Sequence, residues 1–536
     1  MWEIHYRFKH PVSQITFNTN PNSFREKHWD FSRKNSTLIS EKGEQSLIFA
    51  KPTKSFKVTV SGLDNNFYNR NYTPFIVFSD LSSAIYVGHY YLSSVRIKQN
   101  LIDSDKLNLN LQLSTTIHEK ILYKNEVDSK KINIQKDTNP EYAYFGNLPY
   151  SRQKYNTLVI DPKLPKWIIN IYEDSIPKMI SFFQSSFDIS LPSTPLVLVG
   201  FHNIDIRPRI DGGFVGNQVA INIVGNGWAQ YNLQNKNEHL RLLAHELSHL
   251  WIGGLFKPDT TFEEFNNVIW MHEGGANAFA LKGLLELKLV STEWYESQFK
   301  KSINECINTL QLSHINSFDK INKLQSSYAC GASMILLFEI ILNDKNIFNL
   351  WASIFHSHSN NVFSQDDVLS ILQKSLVPEA ILNLINVALN GKKASLSPQD
   401  SYQRLFEQYG FSFDSTLLKS DKEYQGKHAL QNLMKSMCGR ISFWTEKNHY
   451  KTEPLPNCFP FEKELKIQGF NDFNLFSDGD KAYSYLYEIC KQNKNIIINL
   501  YPDDFISIKC IKEIEAMPKI IKIKSLPKES SCEIVK

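Results

Sequence analysis

Over the first 115 or so residues, apolar side chains recur at every second position. Ile4, Tyr6 and Phe8 alternate with polar neighbours, as do Phe56, Val58 and Val60, and then Leu107, Leu109, Leu111 and Leu113. A period of two marks a strand with one face against a core. The stretches 74–78 and 84–91 are rich in β-branched and aromatic residues, which suit a pleated, half-buried surface. Gly62-Leu63-Asp64-Asn65-Asn66 supplies a turn. The pattern predicts an antiparallel β domain over residues 1–162, ending at the stiff joint Asp161-Pro162-Lys163-Leu164-Pro165.

Beyond that joint the period changes. Trp167, Ile168, Ile171, Ile176, Met179 and Phe182 follow helical spacing and predict a helix over 166–187. Strands are expected at 196–201 and 218–224, and long helical patterns run from 237 to about 390. From about residue 400, helical stretches mix with strand-like runs at 495–501 and 519–523. The chain therefore reads as a multidomain α+β protein: a β-rich domain over 1–162, a mainly helical domain over 163–400 and a small α/β region over 401–536 with no assigned role.

Composition narrows the function classes. Of the 536 residues, 42% are hydrophobic and 21% charged, which is globular composition. Lys and Arg number 59 against 55 Asp and Glu, a net +4. So small an excess gives no reason to expect nucleic acid or an anionic membrane as partner. No run approaches 18 consecutive apolar residues, so no transmembrane segment is expected. The seven cysteines form no CxxC pair, and their odd number leaves at least one thiol unpaired within the chain. That suits a reducing compartment. The N-terminus alternates like a strand and lacks the basic and apolar regions of a signal peptide, so a cytoplasmic protein is expected.

The chemistry is concentrated at residues 244–251, Ala-His-Glu-Leu-Ser-His-Leu-Trp. His245 and His249 are spaced i, i+4 and share one helix face, so both imidazoles can reach one small cation. Leu240, Leu243, Leu247 and Leu250 make the helix amphipathic. Nitrogen ligands in tetrahedral array suit zinc. Glu246 stands beside His245, placed to act as general base at the open coordination position. A catalytic zinc needs a third protein ligand. The segment Trp270-Met271-His272-Glu273-Gly274-Gly275-Ala276 offers Glu273, with His272 as competitor. Glu273 leads into an Ala-rich run over 276–287 that reads as a second helix, where a first-turn Glu would also be favoured by the helix dipole.

In this order the two segments resemble the gluzincin metallopeptidases, in particular the membrane alanyl aminopeptidase-like family, with the glycyl aminopeptidase family close behind. The resemblance implies Glu273 as third zinc ligand, with His272 standing where the family has Asn. The spacing from His249 carries five residues more than is usual, and the polar stretch 256–267 is the place for them. Tyr328-Ala329-Cys330-Gly331-Ala332 resembles the family's Tyr-x-x-Gly-Ala segment, which implies that Tyr328 donates a hydrogen bond to the developing oxyanion. It also implies a thermolysin-like catalytic domain behind a β domain, one zinc per chain and a peptide substrate.

One element departs. Where the family carries Gly-x-Met-Glu-Asn, this chain has Gly213-Phe214-Val215-Gly216-Asn217. The stretch is expected to line the substrate as an edge strand, yet Gly216 cannot pair with a substrate ammonium. Either another carboxylate does so, or a free N-terminus brings little advantage. The expected function is zinc-dependent, aminopeptidase-like peptide hydrolysis. The alternatives are an endopeptidase or other zinc amide hydrolase, and a degenerate member that only binds; intact Glu246 and Tyr328 argue against the last.

Overall fold

The N-terminal alternation folds as long strands. In the computed structural model, Trp2–Phe17 pairs antiparallel with Glu44–Val60, Trp2 opposite Val60 and Tyr6 opposite Phe56. Trp29–Asp30, Ser36–Glu41, Leu92–Ile97 and Asn100–Asp103 extend this sheet, and the short helix α1 (Phe24–His28) lies in the chain between its strands. A second antiparallel sheet runs Glu126–Asp128, Lys120–Tyr123, Tyr142–Gly146, Ser83–Tyr86, Phe75–Val77. The alternating residues meet in one core: Phe56, Val58 and Val60 are buried, and Ile4, Tyr6 and Phe8 pack against them half-buried. The expected strand over 84–91 stops at Tyr86, and Val87–Tyr90 turns into a 3₁₀ helix around Gly88, a residue that weakens an extended run.

The structure describes residues 2–527 except 19–23, 31–35, 42–43, 62–73, 104–109, 116–118, 125, 129, 136–138, 206, 229–234, 260–264, 322, 343–345, 358–360, 392–395, 415–421, 440, 457, 511–513 and 515–520. The turn expected at 62–66, Leu107, Leu109 and the first two residues of the strand-like run at 519–523 lie outside the described residues; Lys522–Ser525 is a strand. The chain divides into two compact units, residues 1–299 with 327–377, and residues 300–326 with 378–536.

In the first unit a five-stranded sheet carries the site. Its order is Tyr150–Arg152, Thr157–Ile160, Leu196–His202, Gln218–Val224, Arg209–Val215. The three middle strands are parallel and Arg209–Val215 closes the edge as a hairpin. Gln218–Val224 is buried along its whole length, as expected of a parallel strand covered on both faces. The sheet begins at Tyr150, ahead of the joint at 161–165.

Helices follow: α2 (Lys166–Ser186), α3 (Lys236–Ser248), α4 (Phe265–Glu286), α5 (Thr292–Thr309), α6 (Leu324–Leu342), α7 (Ile347–Ser357) and α8 (Gln365–Lys374). The helix expected to begin near Ala276 starts at Phe265, so Glu273 sits inside α4 and not in its first turn. Two adjacent glycines disfavour helix locally, but the flanking Trp270, Met271, Ala276 and Phe279 are fully buried, and packing outweighs propensity. Residues 265–267, placed in the polar stretch thought to hold the extra length, are thus helical. Among the described residues one helix, α6, is long and apolar enough to cross a bilayer, but 67% of its apolar window is buried inside the protein, as suits a core helix.

The second unit holds α9 (Glu379–Asn390), α10 (Pro398–Glu407), α11 (Lys422–Cys438) and α12 (Gly479–Lys491), with an antiparallel sheet from Phe443–Glu446 to Asp504–Lys509. Ala429, Leu433, Tyr450, Phe461, Leu486 and Ile498 form its core. Disulfides join Cys438 to Cys458 and Cys490 to Cys510.

Candidate metal centre

The i, i+4 spacing of the two histidines becomes geometry on α3. His245 and His249 are 7% and 4% exposed, and their Nε2 atoms are 3.2 Å apart. His249 Nδ1 lies 3.0 Å from the Ile252 carbonyl, which fixes Nε2 as the nitrogen facing inward. α4 packs against α3 and brings in Glu273, whose Oε2 stands 3.4 Å from each of those Nε2 atoms. Three donors thus form a triangle with edges of 3.2, 3.4 and 3.4 Å. A tetrahedral zinc with ligand bonds of about 2.05 Å has donor–donor edges of about 3.3 Å. The residues fit the ion.

His272 does not share this triangle. Its Nδ1 stands 3.3 Å from the other oxygen of Glu273, Oε1, and its ring lies 4.6 Å from that of His249 between centroids. Glu273 is the candidate that reaches both histidines of α3, while His272 forms a second donor group with His249 and Glu273, their ligand atoms within 4.8 Å of one another.

The buried carboxylate of Glu273 is held in its charged form by its histidine neighbours. Burial opposes the Glu273 charge, but the hydrogen bonds to His245, His249 and His272 outweigh it and hold the carboxyl far below its usual range. Burial likewise opposes a charged His249, yet Glu273 lifts it to about 8. Burial pushes Glu246 up, against the pull of His245 and His249. A raised carboxyl is suited to taking up and releasing a proton.

Tyr328 lies in the second turn of α6, its ring stacked on His245 at 6.1 Å between centroids. Burial first, and the Glu273 charge second, push its phenol up, so it stays a donor. The expected substrate strand is split by the structure. Gly213, Phe214 and Val215 end the edge strand Arg209–Val215, whereas Gly216 and Asn217 form the hairpin turn, Gly216 with φ of 60°. Phe214 stacks on His249. Asn217 donates through Nδ2 to Ser193 and to the Thr194 carbonyl, which pins the turn.

Sequence reasoning missed what Gly212 does within this strand and missed one neighbour, Glu141. A Cβ on Gly212 would lie 2.8 Å from Glu246 Cγ, so glycine lets the edge strand approach the candidate base. Glu141, from the N-terminal sheet region, accepts from the Asn217 N–H at 2.9 Å, and its Oε1 lies 2.4 Å from where a Gly216 side chain would begin. The motif comparison that exposed Gly216 pointed to a missing carboxylate; nothing local pointed to residue 141.

Residues 175–387 match the family model described as Peptidase family M1 domain. Among solved structures, the chain is similar to an aminopeptidase N family protein from Idiomarina loihiensis, with 13% identity, a TM-score of 0.61, and coverage of 99% of this chain and 96% of that one. It also matches leukotriene A4 hydrolase from Saccharomyces cerevisiae at 14% identity and TM-score 0.43, over 74% of this chain and 63% of that one. An M1 zinc metallopeptidase from Deinococcus radiodurans matches at 10% identity and TM-score 0.36, over 74% and 90%.

Proposed function

We propose that this gluzincin, a zinc-dependent aminopeptidase-like metallopeptidase whose residues 175–387 are a peptidase family M1 domain, binds one zinc per chain through His245, His249 and Glu273 and cleaves peptides from a free N-terminus. The observation that carries the reading is the donor triangle of 3.2 to 3.4 Å beside the buried Glu246.

Zinc in that position supplies a Lewis acid that polarises a carbonyl and acidifies water. The remaining work falls to the chain. The Glu246 carboxylate takes the proton of the attacking water and returns it to the leaving amine nitrogen. The Tyr328 phenol donates to the oxygen on which charge develops. The strand Arg209–Val215 ends the sheet's order among the described residues, and an extended peptide adds to such a strand by backbone pairing.

The preference for a free N-terminus is assigned to Glu141. Its carboxyl stands in the space beside Gly216, where the family pattern would put the amine-binding Glu. An ammonium bound there gains a charge-assisted hydrogen bond. Two peptides that differ only in N-terminal acetylation test it on zinc-loaded protein. The free amine should be preferred by more than about tenfold, roughly 1.4 kcal/mol, and Glu141→Gln should erase the preference. Equal cleavage of both peptides by the unaltered protein would favour the endopeptidase alternative.

A further inference from the structure

The groups assigned to chemistry sit on different helices: Glu273 on α4 and Tyr328 on α6. What sets their separation is visible one residue past Glu273 and three past Tyr328. A Cβ on Gly274 would lie 2.4 Å from Gly331 Cα and 2.8 Å from Gly331 C. A Cβ on Gly331 would lie 1.8 Å from the Trp270 carbonyl oxygen and 2.7 Å from Gly274 Cα. The obstacles are backbone atoms, which cannot swing aside as a side chain can. The two helices therefore touch backbone to backbone, and they do so in the turns that carry Glu273 and Tyr328.

A second tie lies along the same two helices. Lys282 on α4 reaches Glu339 on α6 at 2.7 Å, the side chains 8% and 15% exposed. Lys282 is nine residues beyond Glu273 and Glu339 eleven beyond Tyr328, so this ion pair fixes the helices well away from the site. Their alignment is held at one end by charge and at the other by the absence of side chains.

We infer that Gly274 and Gly331 are positioning residues: their contact sets the reach of the Tyr328 phenol toward the reacting carbonyl. The inference rests on the reading of Tyr328 as the oxyanion donor. A methyl group at either position would wedge α6 from α4 at the turn that presents Tyr328. A donor displaced by about an ångström loses most of its effect on the transition state. Glu273 is held by His245, His249 and His272 as well, so the metal site should survive the displacement.

The test is a double-mutant cycle on zinc-loaded protein. Tyr328→Phe should lower kcat by roughly 10²-fold, the scale for one oxyanion donor. Gly331→Ala should lower kcat by at least tenfold with zinc content and KM unchanged. Combined with Tyr328→Phe it should cost less than about twofold more, because the donor it displaces is already gone. Gly275→Ala is the control, since its nearest obstacle is the flexible Ile252 side chain at 3.0 Å; it should keep full activity. Gly274→Ala carries the same cycle if Gly331→Ala does not fold. Multiplying losses in the double variant, or full activity in folded glycine variants, would overturn this inference alone. Full activity in Tyr328→Phe would overturn the oxyanion reading, and this inference with it.

Discussion

Glu246 and His272 flank the donor triangle and differ in what their loss should do. Glu246 is 7% exposed and its carboxyl is raised by burial. Replacing it with Gln preserves shape and removes the proton acceptor. Glu246→Gln should bind zinc as the unaltered protein does, with turnover lower by roughly 10²- to 10⁴-fold; full turnover would remove it as the base. His272 stands 3.3 Å from Oε1 of Glu273, the proposed third donor. Partners of this kind typically contribute 10- to 100-fold in metal affinity. His272→Ala should weaken zinc binding by that factor in a chelator competition, and His272→Asn, which keeps a donor, should recover most of it. An affinity unmoved by the alanine would leave His272 a packing residue.

At the scale of the element, α3 was the most legible part of the chain. An HExxH spacing is local, and the helix that realises it depends only on residues a turn apart. Glu273 was legible by order, but its place inside α4 was not, because a glycine pair looks like a helix start until the packing around it is known. Glu141 was illegible, since only a tertiary contact across 76 residues of sequence brings its carboxylate to the Asn217 N–H. The seat of α3 carries its own pH dependence. His239 is 1% exposed, within 3.2 Å of the Tyr172 hydroxyl and packed on Trp167 and Trp228. Burial lowers it from 6.5 to about 4. Its folded value lies below its unfolded one, so between these values the unfolded chain binds the extra proton. Stability is therefore intact above about pH 6.5 and falls as pH drops toward 4, by up to about 3 kcal/mol. Denaturant midpoints between pH 7 and pH 4 measure it. His239→Gln should flatten that slope; an unchanged slope would place the titration elsewhere.

The two-unit division puts every assigned site residue in residues 1–299 and 327–377, and the disulfides Cys438–Cys458 and Cys490–Cys510 in the other unit. Each disulfide closes a sequence separation of 20, worth about 3 kcal/mol by loop-closure entropy. Replacing Cys490 and Cys510 with Ser should lower the stability of that unit by about this amount and leave zinc content unchanged. Loss of zinc in that variant would tie the two units together energetically. The layout of a β domain ahead of a helical domain was legible from the change of hydrophobic period, and the likeness to the Idiomarina loihiensis structure extends that agreement in fold over nearly the whole chain. The role of the C-terminal unit was not legible, because among the described residues its strands and helices carry packing residues and no metal-ligating cluster. The central claim is that His245, His249 and Glu273 hold zinc, and metal analysis of protein purified without chelators tests it most directly. About one zinc per chain is expected, falling close to none in His249→Ala. A wild-type protein that holds no zinc and takes up none on addition would contradict the account.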